Sequence, residues 1–256
     1  MSPDLKPLKF IGCEIIYREA CYLAATVPRR VDVEFLRKGL HDLERQDMLA
    51  KVQSAVDAAA AEDRYEAILL GYARCNDGLA GLRAPTIPLV VPRAHDCVTF
   101  FFGSRAGYRQ YFDTHPGTFY MTTGWSERDT VAGDGYDRPA YDTQGVMGKL
   151  GLADDYQTLV EKYGEENARF VMQSLGDWRQ NYSRLCYLKM GVCDETDIVE
   201  AARSEAAERD WQFELRDGDL TLLRRLFAGQ WDDDFVIVQP GQSIVACNDH
   251  RVLDAE

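Results

Sequence analysis

The stretch Ala67-Ile68-Leu69-Leu70-Gly71 is apolar up to its glycine and then breaks into Tyr72-Ala73-Arg74-Cys75-Asn76-Asp77-Gly78, a polar turn carrying a cysteine. An apolar run without polar alternation is the pattern of a strand covered on both faces, and such strands belong to parallel sheets packed between helices. Working outward, Leu8-Lys9-Phe10-Ile11-Gly12 and Ile87-Pro88-Leu89-Val90-Val91 read the same way, and residues 118–122, 185–188, 211–215 and 235–238 add short runs rich in β-branched or aromatic residues. Between them lie helical patterns. Met48, Val52, Val56 and Ala60 recur every four residues, and Leu220, Leu223, Arg224 and Phe227 mark a shorter amphipathic face, with Asp194 and Asp219 as candidate N-caps. The alternation predicts an α/β fold, a mostly parallel sheet flanked by helices in a Rossmann-like three-layer architecture. Residues 1–256 read as one α/β domain; the polar, Gly- and Asp-rich stretch 126–151 is a candidate loop, lid or crossover between two lobes.

Composition narrows the function classes. The chain of 256 residues carries 42 acidic and 29 basic side chains, a net charge of −13, with its arginines scattered rather than gathered into a stripe, so neither nucleic acid nor an anionic membrane surface is an expected partner. No apolar run is long enough to span a bilayer, and the start Met1-Ser2-Pro3-Asp4-Leu5-Lys6-Pro7 has no leader pattern. Seven cysteines, an odd number at irregular spacing, make a poor disulfide framework, which points to a cytoplasmic, reducing setting.

In open α/β sheets ligands sit beyond the carboxyl ends of the strands. Here three predicted strands run into Cys13-Glu14, into Cys75, and into Arg93-Ala94-His95-Asp96-Cys97. If these strands are parallel neighbours, Cys13, Cys75, His95 and Cys97 converge on one edge and form a soft nitrogen and sulfur donor set that suits zinc. Cys75, His95 and Cys97 are the candidate metal ligands. Glu14 and Cys13 are the candidate catalytic groups, Glu14 as oxygen ligand, base or partner of His95, and Arg18, Arg93 and Trp125 are candidate contacts to a bound ligand or cofactor. The turn 76–81 matches neither a Walker loop nor a dinucleotide fingerprint. Cys21, Cys186 and Cys193 read as core, Cys247 and His250 as part of a C-terminal tail or closing flap.

Val91-Pro92-Arg93-Ala94-His95-Asp96-Cys97, then Phe102-Gly103-Ser104 and His115-Pro116-Gly117-Thr118-Phe119-Tyr120-Met121-Thr122-Thr123-Gly124-Trp125, resemble the domain of unknown function 1638 family. Ile11-Gly12-Cys13-Glu14-Ile15, Gly71-Tyr72, Cys75-Asn76 and the leucine-rich stretch from Leu220 to Trp231 carry the resemblance over nearly the whole chain. It implies a setting beside corrinoid proteins and methyltransferases of one-carbon metabolism. A narrower likeness points the same way: corrinoid-dependent methyltransferases that activate a thiol on zinc use a His-x-Cys pair and a distant cysteine, similar to His95-Asp96-Cys97 with Cys75. The order differs, since their distant cysteine follows the pair; Cys186, Cys193 or Cys247 would fill that downstream place.

The expected function is therefore that of a zinc-binding protein of corrinoid-linked one-carbon metabolism, taking part in methyl transfer, with a corrinoid protein or methyltransferase and a small-molecule ligand as partners and the corrinoid held by the partner. The alternative is a non-catalytic accessory protein that holds a small metabolite, a corrinoid or a partner methyltransferase in the same crevice. A metal-free cysteine enzyme, with His95 lowering the pKa of Cys75 or Cys13, ranks behind both, because two cysteines and a histidine delivered together favour a metal over a dyad.

Overall fold

A computed structural model of the chain describes residues 5–127, 160–161, 164–165, 167, 169 and 181–256. Strand β1 (Leu8–Cys13) is buried along its whole length because it has a parallel neighbour on each edge, β2 (Val31–Leu36) and β3 (Ile68–Gly71). Beyond β3 the sheet continues with parallel β4 (Leu89–Pro92) and closes with antiparallel β8 (Phe235–Val238), in the order β2-β1-β3-β4-β8. The α/β architecture of mostly parallel strands flanked by helices is as the apolar runs foretold.

Helix α1 (Tyr17–Thr26) carries the chain from β1 out to β2, and α2 (Arg45–Ala61) carries it back past β1 to β3. Right-handed crossovers that run in opposite directions lie on opposite faces of a sheet. One face holds α1 with α7 (Thr221–Ala228), and α2 covers β1 and β3 on the other. Met48, Val52 and Val56 of α2 are completely buried there, which is the stripe its four-residue spacing encodes. Because side chains alternate along β1, Phe10 packs on Phe227 of α7, and Ile11 and Cys13 turn toward α2. The sequence reading passed over β2: Val31-Asp32-Val33-Glu34-Phe35-Leu36 alternates polar with apolar because β2 is an edge strand, buried fully only at Val31.

After β4 come two helices, α3 (Val98–Phe101) and α4 (Arg105–Thr114), and then a second, wholly parallel sheet of β5 (Thr118–Met121), β6 (Arg184–Lys189) and β7 (Gln212–Asp217). Helix α6 (Thr196–Glu208) covers one face of it, where Leu185 and Tyr187 pack with Val199, Ala202 and Trp211. Cys186 and Leu188, pointing the other way, join the main core shared with the first sheet. The N-caps of α6 and α7 are Glu195 and Leu220, one position after the expected Asp194 and Asp219, which instead accept from the backbone N–H of Thr196 and Thr221, the first residues of the two helices. The short helix α5 (Thr123–Glu127) closes on the segment after β1 so tightly that a Cβ on Gly124 would lie 1.8 Å from the carbonyl oxygen of Ile15. Of the stretch 126–151, only its first two residues lie within the described part of the chain. A hairpin of β9 (Ile244–Ala246) and β10 (Leu253–Ala255) ends the fold, and among the described residues no helix is long and apolar enough to cross a membrane.

Candidate functional site

The strand order reverses between β1 and β3: β1 leads outward to β2, and the chain then returns to place β3 on the opposite side of β1. That switch point opens a crevice at the carboxyl ends of the two strands. Gly12 and Gly71 stand opposite each other in the register there, and the ring of Phe10 fills the space in front of both. Past the strand ends, Arg74 N–H bonds Ala94 O and Cys75 N–H bonds His95 O, so the turns after β3 and β4 run together.

Cys13, Cys75 and Cys97 line one small cavity at this point, about 20 Å³ in volume and walled by Ile15, Leu40 and Met48. That is space for about one water molecule. His41, from the β2–α2 connection, also lines it. Three chain segments thus bring three thiols together, as the strand ends suggested. Burial pushes the Cys13 thiol up to about 11 and the Cys75 thiol up to about 12, and it holds Cys97 well above the ordinary thiol range; for Cys75 and Cys97 the charge of a neighbouring cysteine adds to burial. All three are protonated near neutral pH, so none is a ready nucleophile. Cys75 also sits at a positive φ of 33°, a strained backbone position for a side-chain-bearing residue.

His95 does not line this cavity, unlike Cys75 and Cys97, with which it was expected to share a metal. Two residues before Cys97, it lines a different and much larger cleft of about 1050 Å³, together with Arg74, Arg93, Asp96, Thr99 and Tyr108. Asp96, between His95 and Cys97, accepts from Tyr108 Oη at 2.8 Å, and burial raises its carboxyl above the usual range despite that bond. Arg93 lies on the cleft side as well and donates to the carbonyl oxygens of Arg251 and Leu253. Its expected place near a ligand is on the larger cleft.

The other expected residues lie elsewhere. Glu14 is buried but does not line the thiol cavity; its Oε2 accepts from the backbone N–H of Lys38, in the connection that leads to His41. Arg18 forms a bidentate pair with Glu127 of α5, which raises its pKa, and Trp125 packs on Phe101 while its carbonyl accepts from Lys38 Nζ. Both belong to the contact between α5 and the segments after β1 and β2. Beside them Glu19 is completely buried, and among the described residues neither of its oxygens has a hydrogen-bond partner from another residue. Burial, followed by the charges of Glu195 and Glu127, lifts its carboxyl to about 7. Cys186, Cys193 and Cys247 do not line the thiol cavity.

The sequence reading missed His41 and the arginines Arg74 and Arg105 of the cleft. His41 lies in the short 3-10 turn Leu40–Asp42 a few residues past the end of β2, so recognising β2 by its alternation was the signal that would have placed it near the same sheet edge as the cysteines. As the side chains stand, no group of three or more His, Cys, Asp and Glu among the described residues is arranged to hold a metal ion.

Among known proteins, the family described as a protein of unknown function (DUF1638) matches residues 35–227 of the chain. No curated protein and no solved structure matches it.

Proposed function

The chain belongs to the DUF1638 family, whose description assigns no activity, and from its own residues we propose that it binds a thiophilic metal ion, zinc foremost, through Cys13, Cys75 and Cys97, with His41 beside them. The observation that carries this reading is the meeting of three thiols from three strand ends in one cavity at the topological switch point. Three sulfur donors and an imidazole are a donor set that zinc prefers. In the arrangement described above the thiols are protonated and turned for packing, so binding requires each to lose its proton and rotate onto the ion, a coupling that makes affinity rise with pH. Met48 and Leu40 keep water from the sulfurs, and Glu14 fixes the connection that carries His41 by holding the Lys38 N–H.

The methyl-transfer role beside a corrinoid protein or methyltransferase is part of the same proposal and rests on the family resemblance. A bound zinc would supply the acidity that keeps a thiol deprotonated at neutral pH. Cys13, which leads from β1 into Glu14, is the thiol whose position at the switch point best suits that role.

Elemental mass spectrometry on protein purified without added metal or a histidine tag tests the reading. About one zinc per chain is expected, lost in Cys97→Ser and kept in His95→Ala. No zinc after incubation of the reduced protein with the metal, or unchanged zinc in Cys13→Ser, Cys75→Ser and Cys97→Ser alike, overturns it. Zinc without methyl transfer from methylcobalamin to an added thiol would leave metal binding and remove the methyl-transfer role.

A further inference from the structure

The wide cleft beyond β3 and β4 is closed on one side by the loop 247–252 of the β9–β10 hairpin. Three arginines from three other segments hold that loop by its backbone. Arg74 Nη1 donates to Cys247 O at 2.8 Å, Arg105 Nη1 to His250 O at 2.8 Å, and Arg93 Nη1 to Arg251 O at 3.1 Å and to Leu253 O. A neutral carbonyl is a weak partner for a guanidinium, whose planar fork matches the two oxygens of a carboxylate or phosphate and gains from their charge. Arg74 and Arg105 are also anchored by Asp77 and Asp234. Arg93 is anchored more loosely: its side chain is 16% exposed, and its ion pair with Asp254 spans 3.7 Å.

Two further observations set this region apart from ordinary surface. Val252, which lines the cleft, is buried with φ +64°, a left-handed conformation that a β-branched residue adopts only under constraint. The volume of about 1050 Å³ is that of a metabolite pocket rather than of an ion site. We infer that this cleft binds a small metabolite bearing carboxylate or phosphate groups, with Arg93, Arg74 and Arg105 as its anion receptors. The loop 247–252 is the gate, its carbonyl oxygens occupying the guanidinium sites until the ligand's oxygens replace them. His95, exposed on the cleft, supplies a further polar contact to the bound molecule. This inference stands whether or not a metal occupies the thiol cavity.

The test is calorimetric titration of the full-length chain at low ionic strength with two probes, inorganic pyrophosphate and citrate. Saturable binding of about one equivalent is expected for at least one of them; binding of pyrophosphate alone assigns phosphorylated ligands, and of citrate alone polycarboxylates. Arg93→Gln should weaken that binding at least about tenfold, with Arg93→Lys between the two. Hydrogen exchange on the unaltered protein should show the amides of Cys247 and Val252 exchanging faster at saturating probe, as the arginines leave the loop. No saturable heat with either probe, equal affinity in a folded Arg93→Gln, or loop exchange untouched at saturation each overturns the inference.

Discussion

His95 and Cys97, two residues apart, line two different cavities: Cys97 faces the small cavity it shares with Cys13 and Cys75, and His95 faces the wide cleft bounded by Arg93 and the loop 247–252. A His-x-Cys pair read from sequence is two ligands for one ion. In this fold the pair lines two cavities, and the histidine that lines the thiol cavity is His41.

The first prediction follows from that exchange. His41→Ala should lower zinc affinity by at least about tenfold. His95→Ala should leave it within error. Competition against a chromophoric chelator measures both, and the reverse ranking would restore the set of Cys75, His95 and Cys97.

The thiols give a second. In metal-free protein at pH 7.5, burial should make Cys13 alkylate far more slowly than the partly exposed Cys21 and Cys247. With the Cys13 thiol raised from 9.0 to about 11, its thiolate fraction near neutral pH is roughly 100-fold below that of an unperturbed thiol. Since the folded chain keeps these protons after the unfolded chain has lost them, stability should fall as pH rises above the ordinary thiol range. Iodoacetamide labelling read by peptide mass spectrometry, with unfolding followed at pH 8 and pH 10, checks both statements.

Glu19 supplies a pH dependence of its own. Its carboxyl is raised from 4.5 to about 7, first by burial and then by the facing charges of Glu195 and Glu127, which Arg18 opposes. The native state therefore binds more protons than the unfolded state between these values, and stability is lost as pH rises through them. The loss amounts to about 3 kcal/mol at most. Glu19→Gln should remove it, making the variant the more stable protein at pH 8 relative to wild type and narrowing the difference at pH 5. Urea unfolding at the two pH values decides; parallel curves would mean that Glu19 is ionised in the folded protein.

The glycines of the switch point carry a packing prediction. A Cβ on Gly71 would lie 2.2 Å from the ring of Phe10 and 2.9 Å from Ile16 Cδ1, so Gly71→Ala should cost about 1–3 kcal/mol, part of it recovered in Gly71→Ala/Phe10→Leu. Gly124→Ala meets the backbone of Ile15, which cannot swing aside as a ring can, and should cost more. Chemical denaturation of the three variants tests the order.

Much of the fold was legible because burial on two faces writes itself directly into composition. β1, β3 and β4 had to be apolar to lie between helix layers, and the four-residue spacing from Met48 to Val56 had to match the face of α2. Edge strands escape such a reading, since β2 is half-solvated and β9 and β10 are three residues each. The convergence of Cys13, Cys75 and Cys97 was legible for the same reason. Strand ends that follow apolar runs in a parallel sheet lie on one edge whatever the loops do.

The sequence by itself determined the α/β class, the mostly parallel character of the sheet and the strand ends at which chemistry-bearing residues collect, because each is dictated by periodicity and by the rule that parallel strands share a direction; the strand order came from the structure. Only the tertiary structure decided which side chains at that edge face one another. Loop residues have no period to fix their direction, so the turn after β4 could send His95 either way. The partners that select its course, α2 over the thiols and the hairpin loop 247–252 over the cleft, come from segments far away in the chain.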